Sequence, residues 1–440
     1  MIIFKIILFV FVFFAATPIF SNYIYLPELL GPEKDSLIRV DSIQLMGNLI
    51  TKPDVIMREL TFKLGDTIDA QVLKFNKDRV FSLSIFNEVK IDHYLLGKIS
   101  IVRIMVKESW YIWPIPFLEF KEHNSKKPSY GVDFSWMNFR GRNEKIKTKI
   151  SLGYDASVLS SYENPMIGAD NLYYTGVFVQ YLNQKNQNEE LKSAFGEKVK
   201  TRHYDLYLLF GKRSTLFTKI SLSAGYHAYS YNYSEIANNK NNFPYIAFDF
   251  QSDTRDLAQS AGQGHLYKLK VTYNGAGVNK VSYMKSQADF IFYTPMIDRF
   301  VFKSRLLLKH IRGATIPFYD LNYLGLDPKI RGDYSYHTEG GDIYFSSFEI
   351  KYTLLKETNL QLDLPLIPTQ FTQYRTGIYT YTFCDLGVAD KELSSFRNSI
   401  TSGYGVGLGI LFLPYDQIRF EYGINKYGKR GFAFDIGASF

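Results

Sequence analysis

The chain has 440 residues, of which 17% are aromatic, including 34 Tyr and 36 Phe, and its formal net charge is +8. Its one cysteine, Cys384, excludes an intrachain disulfide framework and a zinc site built from several cysteines. The basic residues are spread along the chain instead of forming one stripe, so we expect no nucleic-acid partner.

Residues 1–21 have the pattern of a secretory signal peptide. One lysine, Lys5, precedes an apolar run from Ile6 to Ala16, and small and polar residues follow around Ser21. The run is shorter than the about 20 apolar residues that a membrane-spanning helix needs. We therefore expect an exported protein and exclude this segment from the fold.

Residues 37–108 predict a small α+β domain of order β-α-α-β-β. The predicted elements are a strand at 38–45, a helix at 51–60 capped by Thr51, a helix at 70–82, and strands at 88–94 and 99–108. The first strand ends in a turn at Gly47 and Asn48.

Residues 110–440 alternate apolar and polar positions and predict a second, β-rich domain. We expect sixteen strands, near 111–121, 129–139, 144–154, 156–166, 171–183, 203–211, 216–229, 243–252, 265–274, 281–293, 298–311, 342–355, 374–387, 399–412, 415–424 and 430–440. Alternation alone would also suit a soluble, secreted β-sandwich.

Strand length and spacing favour a membrane barrel over that sandwich. Most of the strands have the roughly 9–11 residues that cross a bilayer when tilted, and short turns alternate with long polar connections. One connection, 356–373, is long for the side of the short turns. An even number of strands leaves both chain ends on one side, which predicts that the preceding domain lies in the periplasm.

The final segment predicts an amphipathic strand that ends on an aromatic residue. Phe432, Phe434 and the terminal Phe440 lie on the apolar side of an alternating pattern. Such a strand is similar to the recognition signal of outer-membrane barrel assembly.

Several stretches together resemble the BamA/TamA family of outer-membrane barrels with POTRA domains, which also includes two-partner secretion transporters. In the first domain the matching stretches are 43–48, 55–60, 64–66, 86–89 and 106–108, and in the second they are 138–144 and 253–256. The resemblance implies a β-dominated fold: a 16-stranded transmembrane antiparallel β-barrel preceded by one POTRA domain.

The resemblance is most specific at Arg331 and Gly332, inside the long connection 312–341. In this family a surface loop folds into the barrel and presents an Arg-Gly tip to carboxylates on the lumen wall, which here match Asp385 and Glu349. Arg suits this role because its planar fork pairs with a carboxylate bidentately. The family usually has an aromatic residue after Arg-Gly, whereas Asp333 stands here. Read alone, Arg-Gly-Asp would be an adhesion tripeptide, a weaker reading because the tripeptide is common by chance.

Enzyme chemistry finds little support in the sequence. Motifs for a serine nucleophile elbow, a His-Glu-x-x-His metal site and a phosphate-binding loop are absent, and the seven His are scattered. A serine–histidine lipase stays open, since barrel neighbours are distant in sequence. We predict a non-enzyme with no cofactor and no metal.

The family implies a function in outer-membrane protein assembly or polypeptide translocation, with POTRA capturing clients. Its implied partners are unfolded outer-membrane or secreted polypeptides, outer-membrane lipid and, further, periplasmic chaperones or accessory subunits. The alternative is a passive, porin-like or structural barrel. Because the chain has room for one POTRA domain, we expect an accessory or specialised role.

Overall fold

A computed structural model describes the chain from residue 37 onward. It leaves aside residues 1–36, 121–127, 186–199, 232–239, 279–280, 318–319, 326, 335–337, 362–364, 366–368, 391–399, 414–415 and 437–440. The predicted signal peptide and Phe440 therefore lie outside the described residues. No helix within the described part of the chain is long and apolar enough to cross a membrane.

The N-terminal domain has two helices packed on a three-stranded sheet. Its elements are β1 (Ile38–Arg39), β2 (Ser42–Met46), α1 (Pro53–Met57), β3 (Thr67–Ile68), α2 (Ala70–Phe81), β4 (Phe86–Leu96) and β5 (Ile99–Glu108). The sheet order is β2-β5-β4, with β2 parallel and β4 antiparallel to β5. A core of buried apolar side chains, among them Val40, Phe62 and Val102, joins helix α2 to this sheet, and Val55 and Ile56 of α1 pack in a second core with Ile104 and Val106 of β5.

The start of this domain differs from the sequence prediction in two places. The single predicted strand is divided, because the chain turns at Asp41, whose carboxylate accepts the Ser100 N–H. The predicted Thr51 cap is wrong. Helix α1 begins after Lys52, with no side-chain cap, because the Thr51 hydroxyl bonds instead to Tyr111 and Asn138.

A 16-stranded antiparallel sheet follows, as predicted, with its strands in sequence order. The strands are β6 (Ile112–Phe120), β7 (Pro128–Phe139), β8 (Glu144–Gly153), β9 (Ala156–Ile167), β10 (Tyr173–Lys185), β11 (Lys200–Arg213), β12 (Thr218–Tyr231), β13 (Lys240–Asp253), β14 (Gly264–Asn274), β15 (Ser282–Pro295), β16 (Phe300–Thr315), β19 (Asp342–Gln361), β20 (Gln373–Asp390), β21 (Thr401–Leu413), β22 (Asp416–Asn425) and β23 (Arg430–Ile436). A two-stranded excursion, β17 (Asn322–Leu324) and β18 (Thr338–Gly340), lies between β16 and β19.

The two faces of this sheet differ in polarity because successive side chains point to opposite sides. On β11, Leu206, Leu208 and Phe210 are exposed on one face, whereas Asp205 is buried on the other. We call the face that carries the buried polar residues the inner face. A large apolar outer surface of this kind suits contact with lipid.

One end of the sheet curls around the N-terminal domain. The domain touches this end of the sheet, at strand ends and connections, in five separate places: Lys52 N–H to Gly141 O, Arg58 to Pro165 O, Arg213 to Glu59, Ala258 N–H to Ser82 Oγ and Asn87 to Gln370 O. A flat sheet with strands about 4.8 Å apart could not bring these positions to one small domain. Closure between β6 and β23 stays a prediction, since each pairs with one neighbour within the described residues.

The long connection at 356–373 is an extended hairpin. Strands β19 and β20 continue to the pair Gln361 and Gln373, beyond their neighbours in the sheet. There Asn359 and Gln373 donate to the Glu88 carboxylate, and Arg375 pairs with Asp78 at 3.0 Å. The exceptional length therefore serves contact with the N-terminal domain.

Glu59 carries the most buried ionic contact between domain and sheet. Its carboxylate accepts from Arg213 at 2.5 and 2.8 Å and from Arg79 at 2.9 Å, and Arg79 also stacks over Phe217. Burial alone would raise the pKa of Glu59, but the hydrogen bond and charge of Arg213, with the charge of Arg79, hold this pKa below its ordinary value. The carboxylate is therefore ionised at neutral pH.

Glu59→Gln tests whether this contact holds the domain on the sheet. The change leaves two buried guanidinium groups without their carboxylate, a loss expected to cost about 3–5 kcal/mol. We expect the domain to be cleaved by protease in the purified protein under conditions where the wild type resists.

The matched control is Asp92→Asn, which breaks an ion pair with Arg103 that is partly exposed on the same domain. Such exposed pairs contribute about 0–1 kcal/mol. Equal protease sensitivity of the two variants would contradict the proposed role of Glu59.

Candidate functional site

The long connection between β16 and β19 folds back over the inner face of the sheet. Ile330 is buried against Leu324 and Phe345, and Asp333 N–H bonds to Ile330 O, which closes a turn. Gly332 stands at this turn with a φ of +87°, a conformation that residues with a side chain rarely adopt. The turn presents Arg331 to the sheet.

Arg331 makes a dense set of charged hydrogen bonds. Its Nε and Nη2 donate to the two oxygens of Asp385 at 2.9 and 2.7 Å, and its backbone N–H donates to the same carboxylate at 3.0 Å. Nη1 donates to Glu349 at 2.8 Å, and Nη2 also donates to Ser347 at 2.8 Å. The guanidinium lies 4.3 Å from the centre of the Phe383 ring. The loop tip is thus bound to both β19 and β20.

A second guanidinium, that of Arg419 on β22, extends this network. It donates to Glu421 at 2.7 Å and to Glu349 at 3.4 Å, and its Nε donates to the Tyr381 hydroxyl at 2.8 Å. The Tyr381 hydroxyl in turn donates to Glu421 at 2.8 Å. Glu349 is therefore shared between two arginines.

Charges balance within the network, which includes Lys303, the cross-strand neighbour of Glu349. The three cationic side chains are Arg331, Arg419 and Lys303, and the three carboxylates are Asp385, Glu349 and Glu421. Burial would lower the pKa of Arg331, but Asp385 and Glu349 outweigh it and hold this pKa above its ordinary value. The arrangement stabilises a permanent charge on the loop tip.

The β13–β14 turn lies between the N-terminal domain and strand β19. Ala258 N–H and the Gln259 amide donate to Ser82 and Ser84 of the domain, at 3.0 and 2.7 Å. On its other side, the Lys351 ammonium donates to Ala261 O at 3.1 Å. This turn, one of the stretches that carried the family resemblance, links the domain to the strand that holds Glu349.

The other predicted positions lie apart from this network. Gly47 has a φ of +86° in the turn after β2, and a Cβ there would lie 2.0 Å from Val106 O. Asn48 donates to Thr51 O at 3.0 Å, so this pair shapes the entry to α1. Phe432 and Phe434 are exposed on the outer face of β23.

Sequence reasoning missed Arg419, Glu421, Tyr381 and Lys303. The alternation of polar and apolar residues in β22 puts Arg419 and Glu421 on one polar face, but no pattern within one strand shows which neighbouring side chains that face meets. Strand register supplies that information. Asp385 pairs with Ser347 and Gly403, and Phe383 pairs with Glu349, so the polar positions of β19 to β22 converge.

A buried charge network on the inner face of a lipid-suited antiparallel sheet defines an outer-membrane β-sheet protein with an inward-folded loop. Residues 138–440 match the model of the Omp85 superfamily domain, and the chain belongs to the Omp85 superfamily. Members of this superfamily are outer-membrane proteins that handle polypeptide substrates.

Two solved structures share the fold. BamA from Haemophilus ducreyi lacking POTRA domains 1–3 has 15% identity and a TM-score of 0.53, over 91% of this chain and 84% of that one. CdiB from Escherichia coli has 10% identity and a TM-score of 0.54, over 95% and 93%. The comparison with curated protein sequences finds no match.

Arg331→Ala tests whether the loop tip carries function as well as stability. The change leaves Asp385 and Glu349 without their main buried partner, and we expect activity in a complementation or secretion assay to fall at least tenfold. The folded, heat-modifiable form of the protein should persist. Full activity of this variant would refute the role.

The matched control is Arg305→Ala. Arg305 pairs bidentately with Asp289 at 2.8 and 2.9 Å, is similarly buried on the inner face, and has its carboxylate partner on strand β15 and not on the strands that bind the loop tip. We expect a comparable loss of stability with activity retained, which separates the tip from buried ion pairs in general.

Proposed function

We propose that this protein captures unfolded polypeptides in the periplasm and inserts them into, or exports them across, the outer membrane without covalent chemistry. The observation that carries the proposal is a domain of two helices on a three-stranded sheet with exposed strand edges, docked on one end of an Omp85 sheet. In this proposal the domain is a single POTRA domain and lies on the periplasmic side.

The edge of β4 that faces away from β5 suits the capture step in the second half of the strand, which we call the free half. Within the described residues β4 pairs only with β5, and its end carries Leu95 and Leu96, which are 69% and 63% exposed. An unpaired strand edge binds an extended peptide through backbone hydrogen bonds, and adjacent apolar side chains add contact area. The beginning of β4 is instead held by the sheet, through Glu88.

The transfer step depends on closure of the sheet as a barrel. We infer that β6 and β23 meet at a seam, since one end of the sheet surrounds one small domain. A seam with weak pairing offers a template on which a client can add strands, because closing a barrel otherwise removes its edges.

A passive pore is the competing function, and the contents of the inner face argue against it. The loop tip crosses the inner face of the sheet, and the domain lies against one end of the sheet through five contacts. We expect low, intermittent conductance in a planar bilayer. A steady, wide-open conductance of the full chain would support the passive pore instead.

Site-specific photocrosslinking tests client capture. A photoreactive amino acid at His93, exposed on the free half of β4, should yield crosslinks to unfolded polypeptide in intact cells. The identity of the captured chain would also separate barrel precursors from secreted partners.

The matched control is Lys74, which is equally exposed but lies on helix α2 of the same domain. Crosslinks of equal yield at both positions would reflect proximity alone. An absence of crosslinks at His93 would contradict the proposed capture of clients by β4.

A further inference from the structure

The loop tip crosses the last four strands of the sheet and meets one glycine on each. We consider for each glycine how close an added Cβ would lie to the tip. The pairs are Gly387 on β20 with Ile330 Cδ1 at 2.8 Å, Gly403 on β21 with Arg331 O at 1.9 Å, Gly423 on β22 with Gly332 Cα at 2.6 Å, and Gly431 on β23 with Tyr334 Cδ2 at 2.9 Å.

These four glycines are required for close approach and not for an unusual backbone. None of them has a positive φ, so other residues could adopt the same strand conformation. A Cβ at any of the four would, however, come closer than 3.0 Å to the tip, a separation that real Cβ atoms do not show. Because these glycines have no side chains, they leave a shallow path across the strands, and the four tip residues lie along it in chain order.

Strand register makes the last step of the path, up to the edge of the sheet, direct. Gly423 pairs directly with Gly431, so the path passes from β22 to β23 without a side chain between them. At its end the Tyr334 ring lies on Gly431, and the Tyr334 hydroxyl points toward Glu421 at 3.5 Å. The tip thus begins on the strands that bind Arg331 and ends on the final strand.

Strand β23 depends on such a contact more than any other strand of the curl. Within the described residues it spans seven positions, Arg430–Ile436, and pairs only with β22. Its inner-face positions include Gly431 and Ala433, which supply little side-chain packing of their own. A ring pressed against Gly431 supplies the missing inner contact.

We propose that Tyr334 and Gly431 are positioning residues that hold the last strand against β22, so that release of the loop tip frees the sheet edge. The proposal rests on the proposed function, in which β23 forms one side of the seam. It assigns the tip two ends with different tasks: Arg331 anchors it to β19 and β20, and Tyr334 holds β23.

Hydrogen–deuterium exchange of the purified full chain in lipid nanodiscs tests this assignment. In Tyr334→Ala we expect backbone amides of 430–436 to exchange about tenfold faster than in the wild type, because edge amides then open locally. Amides of β19 and β20 should keep their protection. Tyr334→Phe keeps the ring and should behave as the wild type.

Gly431→Ala is the reciprocal variant and should speed exchange of the same amides, since its Cβ displaces the ring. Its matched control is Gly341→Ala, where an added Cβ meets nothing closer than Asp390 O at 4.0 Å. Tyr334→Leu, which retains apolar bulk, serves if the alanine variant fails to fold.

Unchanged exchange of 430–436 in folded Tyr334→Ala, or acceleration spread evenly over the sheet, would overturn the proposal. Because the measurement uses no client, its outcome is independent of client capture. Faster exchange of β23 together with failed crosslinking at His93 would retain the positioning role and remove the proposed function.

Discussion

A buried guanidinium must be neutralised where it lies, and this requirement organises the inner face of the sheet. Arg331 is removed from water, so its charge is stable only beside carboxylates in hydrogen-bonding geometry. Asp385 and Glu349 supply them from adjacent strands. Their positions are set by register, so the loop, β19 and β20 have one mutual arrangement in which the charge is satisfied.

Neutralisation also explains why the network is larger than one ion pair. Asp385 and Glu349 together carry more negative charge than Arg331 offsets, and Glu421 adds a third carboxylate. Arg419 and Lys303 complete the balance from β22 and β16. Because Arg331 is held by β19 and β20, the position of Tyr334, three residues further along the loop, is restricted as well. This restriction allows the Tyr334 ring to press on the edge strand β23.

Strand number, order and face were predictable because they depend on short-range patterns. Alternation and length located all sixteen strands, and the polar turn at 138–144 ended where β8 begins. The arginine tip was predictable only through family resemblance. Partners such as Arg419 and the glycine path could not be predicted, since they depend on register across strands far apart in sequence. Thr51 was wrongly predicted as a helix cap because its hydroxyl bonds to Tyr111, which is distant in sequence.

Domain and loop tip contact the same structural elements from opposite directions. The β13–β14 turn joins Ser82 to Lys351, and Lys351 lies two residues from Glu349 on the same face of β19. The apolar core follows the same course, from Phe81 through Leu257 to Tyr379. A displacement of the domain would therefore act on a turn that contacts strand β19 two residues from Glu349. In the proposed function, these contacts would give a client-bound domain a physical route to the tip and, through Tyr334, to the last strand.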